Sequence, residues 1–385
     1  MYGTEPSPLG QTLNSWKALQ MLSKARFPLM ALGMLALLTA LWGGLVRLGW
    51  PWPLPWPTLF VAHGPLMVCG FLGTLIGVER AVALGTLWPY AAPLFTAVGV
   101  LALLTGLPAP PLMTLGSLGL VAIFAVIVRR QCALATVTMA LGALLWLVGN
   151  SLWLVGWPLA QVVPWWSGFL VLTIAGERLE LSRVLRLSVP QHVLFLLAVS
   201  ILLAGLLLLA TAFAYGVRLT GVGMVVLAWW LLQYDIARRT VRQTGLTRFI
   251  AVCLLSGYVW LGVGGALTWR FAGIVAGPYY DAMLHTVFVG FVFAMIFGHA
   301  PIIFPAILGR TTSPYHPALY GPLLLLHASL LLRVTGDLMG WWPAQHVPCH
   351  AESEGSMEEP YRGIQERMIR HRAPSPISRK RMRGR

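Results

Sequence analysis

Charged side chains are scarce in this sequence: they make up 10% of its 385 residues, whereas 57% of the residues are hydrophobic. A soluble globular domain carries roughly 25% charged residues, so this composition excludes a water-soluble fold. Long apolar runs fill most of the chain instead. We therefore expect an all-α polytopic membrane protein.

Acidic residues and cysteines are also few. Twelve Asp and Glu stand against 27 Lys and Arg, which gives a formal net charge of +15. The basic residues lie in short loops and a tail and form no basic face of a soluble domain, so the expected partner is membrane lipid, not nucleic acid. The four cysteines (Cys69, Cys132, Cys253 and Cys349) include no CxxC pair, which excludes a zinc site of that kind and a disulfide framework.

Eleven segments are apolar over about the 20 residues that a helix needs to cross a membrane. They are called spans 1 to 11 and cover residues 27–49, 58–82, 88–107, 111–128, 133–155, 162–178, 190–214, 219–236, 249–268, 282–308 and 317–339. The predicted organisation is a cytoplasmic segment (1–26), a transmembrane domain (27–342) and a basic tail (343–385).

Basic residues concentrate on alternate loops, which predicts the orientation of the chain. The loops that are rich in basic residues contain Lys17, Lys24, Arg26, Arg80, Arg129, Arg130, Arg178, Arg183, Arg186, Arg238, Arg239, Arg242, Arg248 and Arg310. By the positive-inside rule these loops and the N-terminus are cytoplasmic, in a bacterial-type inner membrane. Even-numbered spans then run from the outside inwards.

Spans 2, 6 and 10 share a sequence pattern. They read "GFLGTLIGVER" (70–80), "GFLVLTIAGER" (168–178) and "GFVFAMIFGHA" (290–300). Each starts with Gly-Phe, has Ile at the seventh position and has Glu, Glu or His at the tenth. A repeat fixes the architecture of a fold, and this one predicts a pseudo-threefold order of three groups of four helices. The twelfth helix of that layout is missing.

The tail departs from the rest of the chain. Its 43 residues (343–385) contain nine Lys or Arg and five Glu, with no stretch able to span a membrane. Span 11 runs outwards, so this basic tail lies outside, against the positive-inside rule. We expect an altered reading frame near residue 343, which replaces the twelfth helix with a disordered tail. The alternative is a functional tail that binds acidic partners or lipid.

The stretches "AHGPLMVCGFLGTLIGVERAVALG" (62–85) and "LHTVFVGFVFAMIFGHAPIIFPAILG" (284–309) resemble the histidine-bearing helices of haem-copper oxidase subunit I. They are more similar to the NnrS-type membrane proteins of the nitric oxide response, which are related to that fold. The resemblance implies cofactor pores lined by spans 2, 6 and 10. It also implies a haem, of b type, between spans 2 and 10, with copper as a further candidate cofactor.

His63 and His285 are the candidate haem ligands. Each lies four or five residues into its span, so both stand roughly 6–8 Å below the outer surface. Two imidazoles at one depth on facing helices can serve as the axial ligands of a six-coordinate haem. The alternative is a capped interfacial histidine. Arg47, Arg270 and Arg333 on the same side are candidate partners of the haem propionates, or simply interfacial residues.

Two further histidines are candidates for a second metal site. His299 follows His285 by fourteen residues, so in a regular α-helix the two lie within about 40° of one face and about 21 Å apart. His299 then belongs to a second site or has a structural role ahead of Pro301 and Pro305. His327, in the middle of span 11, is either a metal ligand or a buried hydrogen-bonded side chain.

Span 6 carries no histidine, so an oxygen-reducing oxidase is not expected. At its cytoplasmic end Glu177 and Arg178, like Glu79 and Arg80 in span 2, are interpreted as topology anchors, with proton uptake as the alternative.

The hypothesis is a haem-binding membrane protein in redox or nitric oxide handling, served by an electron donor protein or a quinone. Its rivals are a secondary transporter and a non-catalytic subunit of a respiratory complex.

Overall fold

The computed structural model describes residues 8–53, 59–307 and 315–341, and within these ranges it contains helices and no strand. The α-helices are Pro8–Arg47, Leu59–Pro65, Thr74–Leu84, Ala91–Thr105, Pro110–Arg130, Leu134–Leu154, Leu159–Leu181, Val189–Leu208, Phe213–Tyr234, Ala237–Thr240, Gly245–Arg270, Pro278–His285, Ala294–Ile307 and Tyr320–Met339. Two π-helices (Leu66–Gly73 and Thr286–Phe293) and three 3₁₀-helices (Trp88–Tyr90, Ser182–Leu185 and Pro317–Leu319) complete them.

Eleven of the described helices are long and apolar enough to cross a membrane, and every one overlaps its predicted window. They are Arg26–Arg47, Val61–Leu84, Trp88–Thr105, Pro110–Arg130, Leu134–Leu154, Leu159–Leu185, Val189–Leu208, Phe213–Tyr234, Gly245–Arg270, Pro278–Ile303 and Pro317–Met339. The all-α fold with eleven spans is thereby confirmed. The predicted tail and the place of a twelfth helix lie outside the described residues.

Proline and glycine set the ends of several spans. Pro110 and Pro278 stand in the first turn of their helices, where a missing backbone N–H costs nothing. Gly85, Gly106 and Gly340 follow the last helical residue with φ of 65°, 75° and 65°, a left-handed conformation that favours glycine. These residues give the chain its short connections between antiparallel neighbours.

Spans 2 and 6 form the centre of the bundle. In each of them 67% of the most apolar window is buried, against 28% in span 1 and 17% in span 11. Consecutive spans pack on one another around this centre. The two ends of the bundle are named by the residues that bound span 1: the Arg26 side, predicted to be cytoplasmic, and the Arg47 side.

The repeated glycine has the same surroundings in all three groups. A Cβ atom added to Gly70, Gly168 or Gly290 would lie between 2.5 and 3.0 Å from one side chain of the preceding span and one of the following span. These neighbours are Ala36 and Val100 for Gly70, Leu145 and Leu206 for Gly168, and Trp260 and Leu330 for Gly290. Glycine is needed because the three helices approach so closely, and the shared pattern supports the predicted pseudo-threefold order.

The two π-helices also occupy equivalent positions. Each starts four residues before the repeated glycine and ends three residues after it, in span 2 at Leu66–Gly73 and in span 10 at Thr286–Phe293. Span 6 is α-helical over Leu159–Leu181. Segments of π-helix recur at functional sites, so spans 2 and 10 differ from span 6 in the way expected of site-bearing helices.

Candidate functional site

His63 lies in the short α-helix that precedes the π-helix of span 2, close to the Arg47 side. Its Nδ1 stands 2.7 Å from the carbonyl oxygen of Ala40 in span 1. A carbonyl only accepts, so Nδ1 carries the hydrogen and Nε2 of the neutral ring keeps its lone pair. Gly44 makes room for this ring, because a Cβ there would lie 3.0 Å from Cε1 of His63.

His285 ends the short helix before the π-helix of span 10, and a carboxylate holds its ring. Its Nδ1 stands 2.9 Å from the carbonyl oxygen of Asp281 and 3.2 Å from the carboxylate of the same residue. Nε of Arg333 in span 11 donates to that carboxylate at 2.7 Å. Metal-binding histidines are oriented by such an outer partner, which fixes the tautomer with a free Nε2.

The two histidines belong to one polar cluster. His63 interacts electrostatically with His285, Arg47 and Asp281, and Arg47 also interacts with Tyr280. Two imidazoles with free Nε2 atoms on different spans are a donor set that suits haem iron. The residues present therefore fit the predicted cofactor. Of the three predicted propionate partners, Arg47 interacts electrostatically with His63, and Arg333 is in an ion pair with Asp281.

Arg270 lies apart from this cluster. Its exposed guanidinium stands 5.3 Å from the ring centre of Phe271, which stacks on Tyr279. This contact favours the interfacial alternative for Arg270.

A cavity of about 90 Å³ lies between spans 2, 6 and 10. Positions 3, 6, 7 and 10 of the repeat line it in each span, and this spacing marks one face of a helix. These residues are Leu72, Leu75, Ile76 and Glu79, then Leu170, Thr173, Ile174 and Glu177, and then Val292, Met295, Ile296 and His299. This central cavity is smaller than the roughly 300–1,000 Å³ of ordinary ligand pockets. It has room for several water molecules, since one needs about 10–15 Å³.

The Arg26 side of the central cavity ends in charged groups. Arg80 forms ion pairs with Glu177 and, at 3.7 Å, with Glu79. Arg178 points elsewhere: it binds Asp235 at 3.0 Å, and both side chains are almost fully buried. These ion pairs join spans 2, 6 and 8, so the four residues interpreted as topology anchors also link helices. The Arg178–Asp235 pair is buried, whereas Glu79, Arg80 and Glu177 are half-buried.

His299 and His285 do not share a face in the way predicted. The prediction assumed an uninterrupted α-helix, but Thr286–Phe293 is a π-helix. One extra residue in a turn rotates everything beyond it by about 100°. His299 lines the central cavity, and its Nδ1 stands 2.7 Å from the carbonyl oxygen of Met295. Its Nε2 therefore keeps a lone pair.

His327 uses both ring nitrogens. Nε1 of Trp260 donates to its Nδ1 at 3.0 Å, so Nε2 carries the hydrogen and donates to Oγ of Ser256 at 2.9 Å. This arrangement favours the buried hydrogen-bond alternative over a metal role. Within the described ranges, no group of three or more His, Cys, Asp or Glu is close enough to hold a metal ion.

The comparisons with known proteins place the chain in a family. A family model described as a domain of unknown function (DUF8744) matches residues 26–352, which is most of the chain. The chain belongs to the DUF8744 family. No curated protein and no solved structure matches it. The DUF8744 match covers all eleven spans and reaches past residue 343, where the sequence predicts a change of reading frame.

Three features of this DUF8744 member were not predicted from its sequence. The π-helices carry no local sequence signal. Asp281 precedes His285 by four residues, one helical turn, and that spacing of an acid and a histidine could have revealed the pair. Asn150 is fully buried and joins spans 2, 4, 5 and 6 through Cys69, Met113 and Trp166. A lone Asn in an apolar run was a signal for such a network.

Proposed function

We propose that this chain is a haem-binding integral membrane protein in redox or nitric oxide handling. The observation that carries the proposal is the pair His63 and His285, whose Nδ1 atoms are engaged so that both rings keep a free Nε2. The resemblance of spans 2 and 10 to NnrS-type helices adds support. The proposed haem is of b type, and Nε2 of each histidine would bind its iron.

The chain's own residues would bind and orient this cofactor, and the iron would supply electron transfer. Asp281 holds the ring of His285, and Arg333 holds Asp281, so span 11 fixes the ligand of span 10. Arg47 is the candidate partner of a propionate. An electron donor protein or a quinone is the proposed partner, and a bacterial-type inner membrane with a cytoplasmic N-terminus is the proposed location.

Visible spectra of the detergent-purified protein, reconstituted with haem and recorded before and after dithionite, test the proposal. We expect a six-coordinate low-spin spectrum that His63→Gly and His285→Gly each abolish, because each removes an axial ligand. Added imidazole should restore it by filling the space of the missing ring.

The matched control is His192→Gly. Its Nδ1 also stands 3.0 Å from a backbone carbonyl, that of Ser188, but span 7 begins at the opposite side of the bundle. This variant should keep the full spectrum. A wild-type protein without the spectrum, or ligand variants that retain it, would contradict haem ligation by this pair.

The central cavity favours a secondary transporter as the second candidate function. Three equivalent spans enclose it, and acidic side chains close one end. Parallel repeats and sites between them do occur in transporters. Substrate-dependent proton flux into proteoliposomes without any haem would support this candidate against the first.

A further inference from the structure

Three titratable side chains line the Arg26 side of the central cavity. Glu79, Glu177 and His299 hold the tenth position of the repeat in spans 2, 6 and 10, and all three line the cavity. His299 interacts electrostatically with Glu79, and Glu79 with Glu177. The same pseudo-threefold packing that places the glycines brings these side chains to one level.

The surroundings of this triad carry further charges. Arg80 from span 2 pairs with both glutamates, and Arg178 from span 6 and Asp235 after span 8 interact electrostatically with His299. Tyr258 from span 9 interacts with Arg178 and Asp235. Arg178 is neutralised by Asp235, which also accepts hydrogen bonds from Ser182 and from the backbone of Ala237. The Arg178–Asp235 pair therefore adds no net charge to the surroundings of the triad.

The remaining charges do not cancel. The carboxylates of Glu79 and Glu177 share one guanidinium, that of Arg80, within the described part of the chain. Two negative charges and one positive charge leave one negative charge. A charge without a partner is unfavourable inside a membrane protein, so this end of the cavity favours one additional positive charge.

We infer that the triad Glu79, Glu177 and His299 binds one proton at the end of the central cavity. Nε2 of His299 has a free lone pair, and both carboxylates have oxygens that accept a proton. A metal ion fits less well, because within the described ranges no three such ligands converge.

The cavity wall supports exchange of this proton through water. Thr173, which is 2% exposed, lines the cavity, and its Oγ1 has no hydrogen-bond partner among the described residues. Buried waters bind to such unsatisfied groups, and the cavity has room for several of them. Protonation of the triad can then follow the pH of the solution that reaches the cavity.

Infrared difference spectra of the full-length protein in lipid nanodiscs, recorded on a change from acidic to alkaline buffer, test the inference. We expect the wild-type protein to lose one proton from a buried carboxyl or imidazolium group. Glu79→Gln and Glu177→Gln should each abolish this signal completely and not merely halve it. Either change leaves one carboxylate paired with Arg80, so no excess negative charge remains to bind the proton.

The matched control is Glu180→Gln, which lies one turn beyond Glu177 but pairs with Arg183 at 3.0 Å outside the cavity lining. Glu180→Gln should leave the infrared signal unchanged. His299→Gln should leave the carboxyl bands of the signal in place. A wild-type protein without the signal, variants that each lose half, or a signal displaced by Na⁺ at constant pH would overturn proton binding. The haem spectrum is measured separately, so failure here leaves the first proposal intact.

Discussion

At the scale of single residues, polar side chains hold the bundle together from within. Asn150 is the clearest case: Nε1 of Trp166 donates to its Oδ1 at 3.0 Å, the thiol of Cys69 donates to the same oxygen at 3.4 Å, and its Nδ2 donates to the carbonyl of Met113 at 3.1 Å. The side chain is fully buried. A buried polar group that loses its hydrogen-bond partner is left with the full free-energy cost of its desolvation, so this network is sensitive to any single change.

Asn150→Leu tests that sensitivity. The branched shape and the number of side-chain heavy atoms are kept, but the indole N–H of Trp166 and the carbonyl of Met113 lose their partner. We expect the free energy of unfolding to fall by about 1–3 kcal/mol. Thermal unfolding in detergent, followed by reaction of the buried Cys253 with a thiol dye, measures it. The control is Thr335→Val, which removes only a hydrogen bond to its own helix. Its free energy of unfolding should stay within about 0.5 kcal/mol of wild type. An equal loss of stability in the two variants would mean that the Asn150 network adds nothing.

At the scale of helices, the repeat is a packing rule as well as a sequence pattern. The glycine is needed where three helices meet, and positions 3, 6, 7 and 10 line the central cavity. That face could be predicted, because the spacing follows the α-helical period. The π-helices could not, because the extra residue per turn depends on tertiary contacts and not on local sequence. For this reason the eleven spans were predictable while the relation of His285 to His299 was predicted wrongly.

Gly168→Ala and Gly290→Ala test the packing rule. The new methyl groups would lie 2.6 Å from Leu206 and 2.5 Å from Trp260, so we expect each change to destabilise the bundle by about 1–3 kcal/mol. Gly336→Ala is the matched control, since nothing lies within 4 Å of its added Cβ. It should be neutral or gain up to about 1 kcal/mol from helix propensity. Melting temperatures in detergent decide between these outcomes, and three equal shifts would contradict close packing at the repeat.

At the scale of the whole molecule, the two polar sites stand at opposite sides of the bundle. The pair His63 and His285 is near the Arg47 side, and the triad of the central cavity is near the Arg26 side. Sequence alone predicted this separation, because spans 2, 6 and 10 run in the same direction. The histidine pair lies near the starts of spans 2 and 10, and the tenth position of the repeat lies towards the other end of all three. Sequence alone could not predict the ion pairs Arg80–Glu177 and Arg178–Asp235, which join residues far apart in the chain. Their partners depend on which spans become neighbours in the bundle.

The orientation of both sites rests on the positive-inside rule, and Cys132 can test it. This cysteine is exposed in the loop after span 4, on the Arg26 side, whereas Cys69 and Cys253 are buried. In a Cys349→Ser background, we expect a membrane-impermeant maleimide to leave Cys132 unlabelled in intact spheroplasts and to label it in inverted vesicles. Val275→Cys, 45% exposed in the loop after span 9 on the Arg47 side, should show the reverse pattern once Cys132 is replaced by Ser. If Cys132 is labelled from outside instead, the orientation is reversed: the histidine pair faces the cytoplasm and the proton site faces outwards. Packing contacts between the helices would then outweigh the tendency of the basic loops to stay in the cytoplasm.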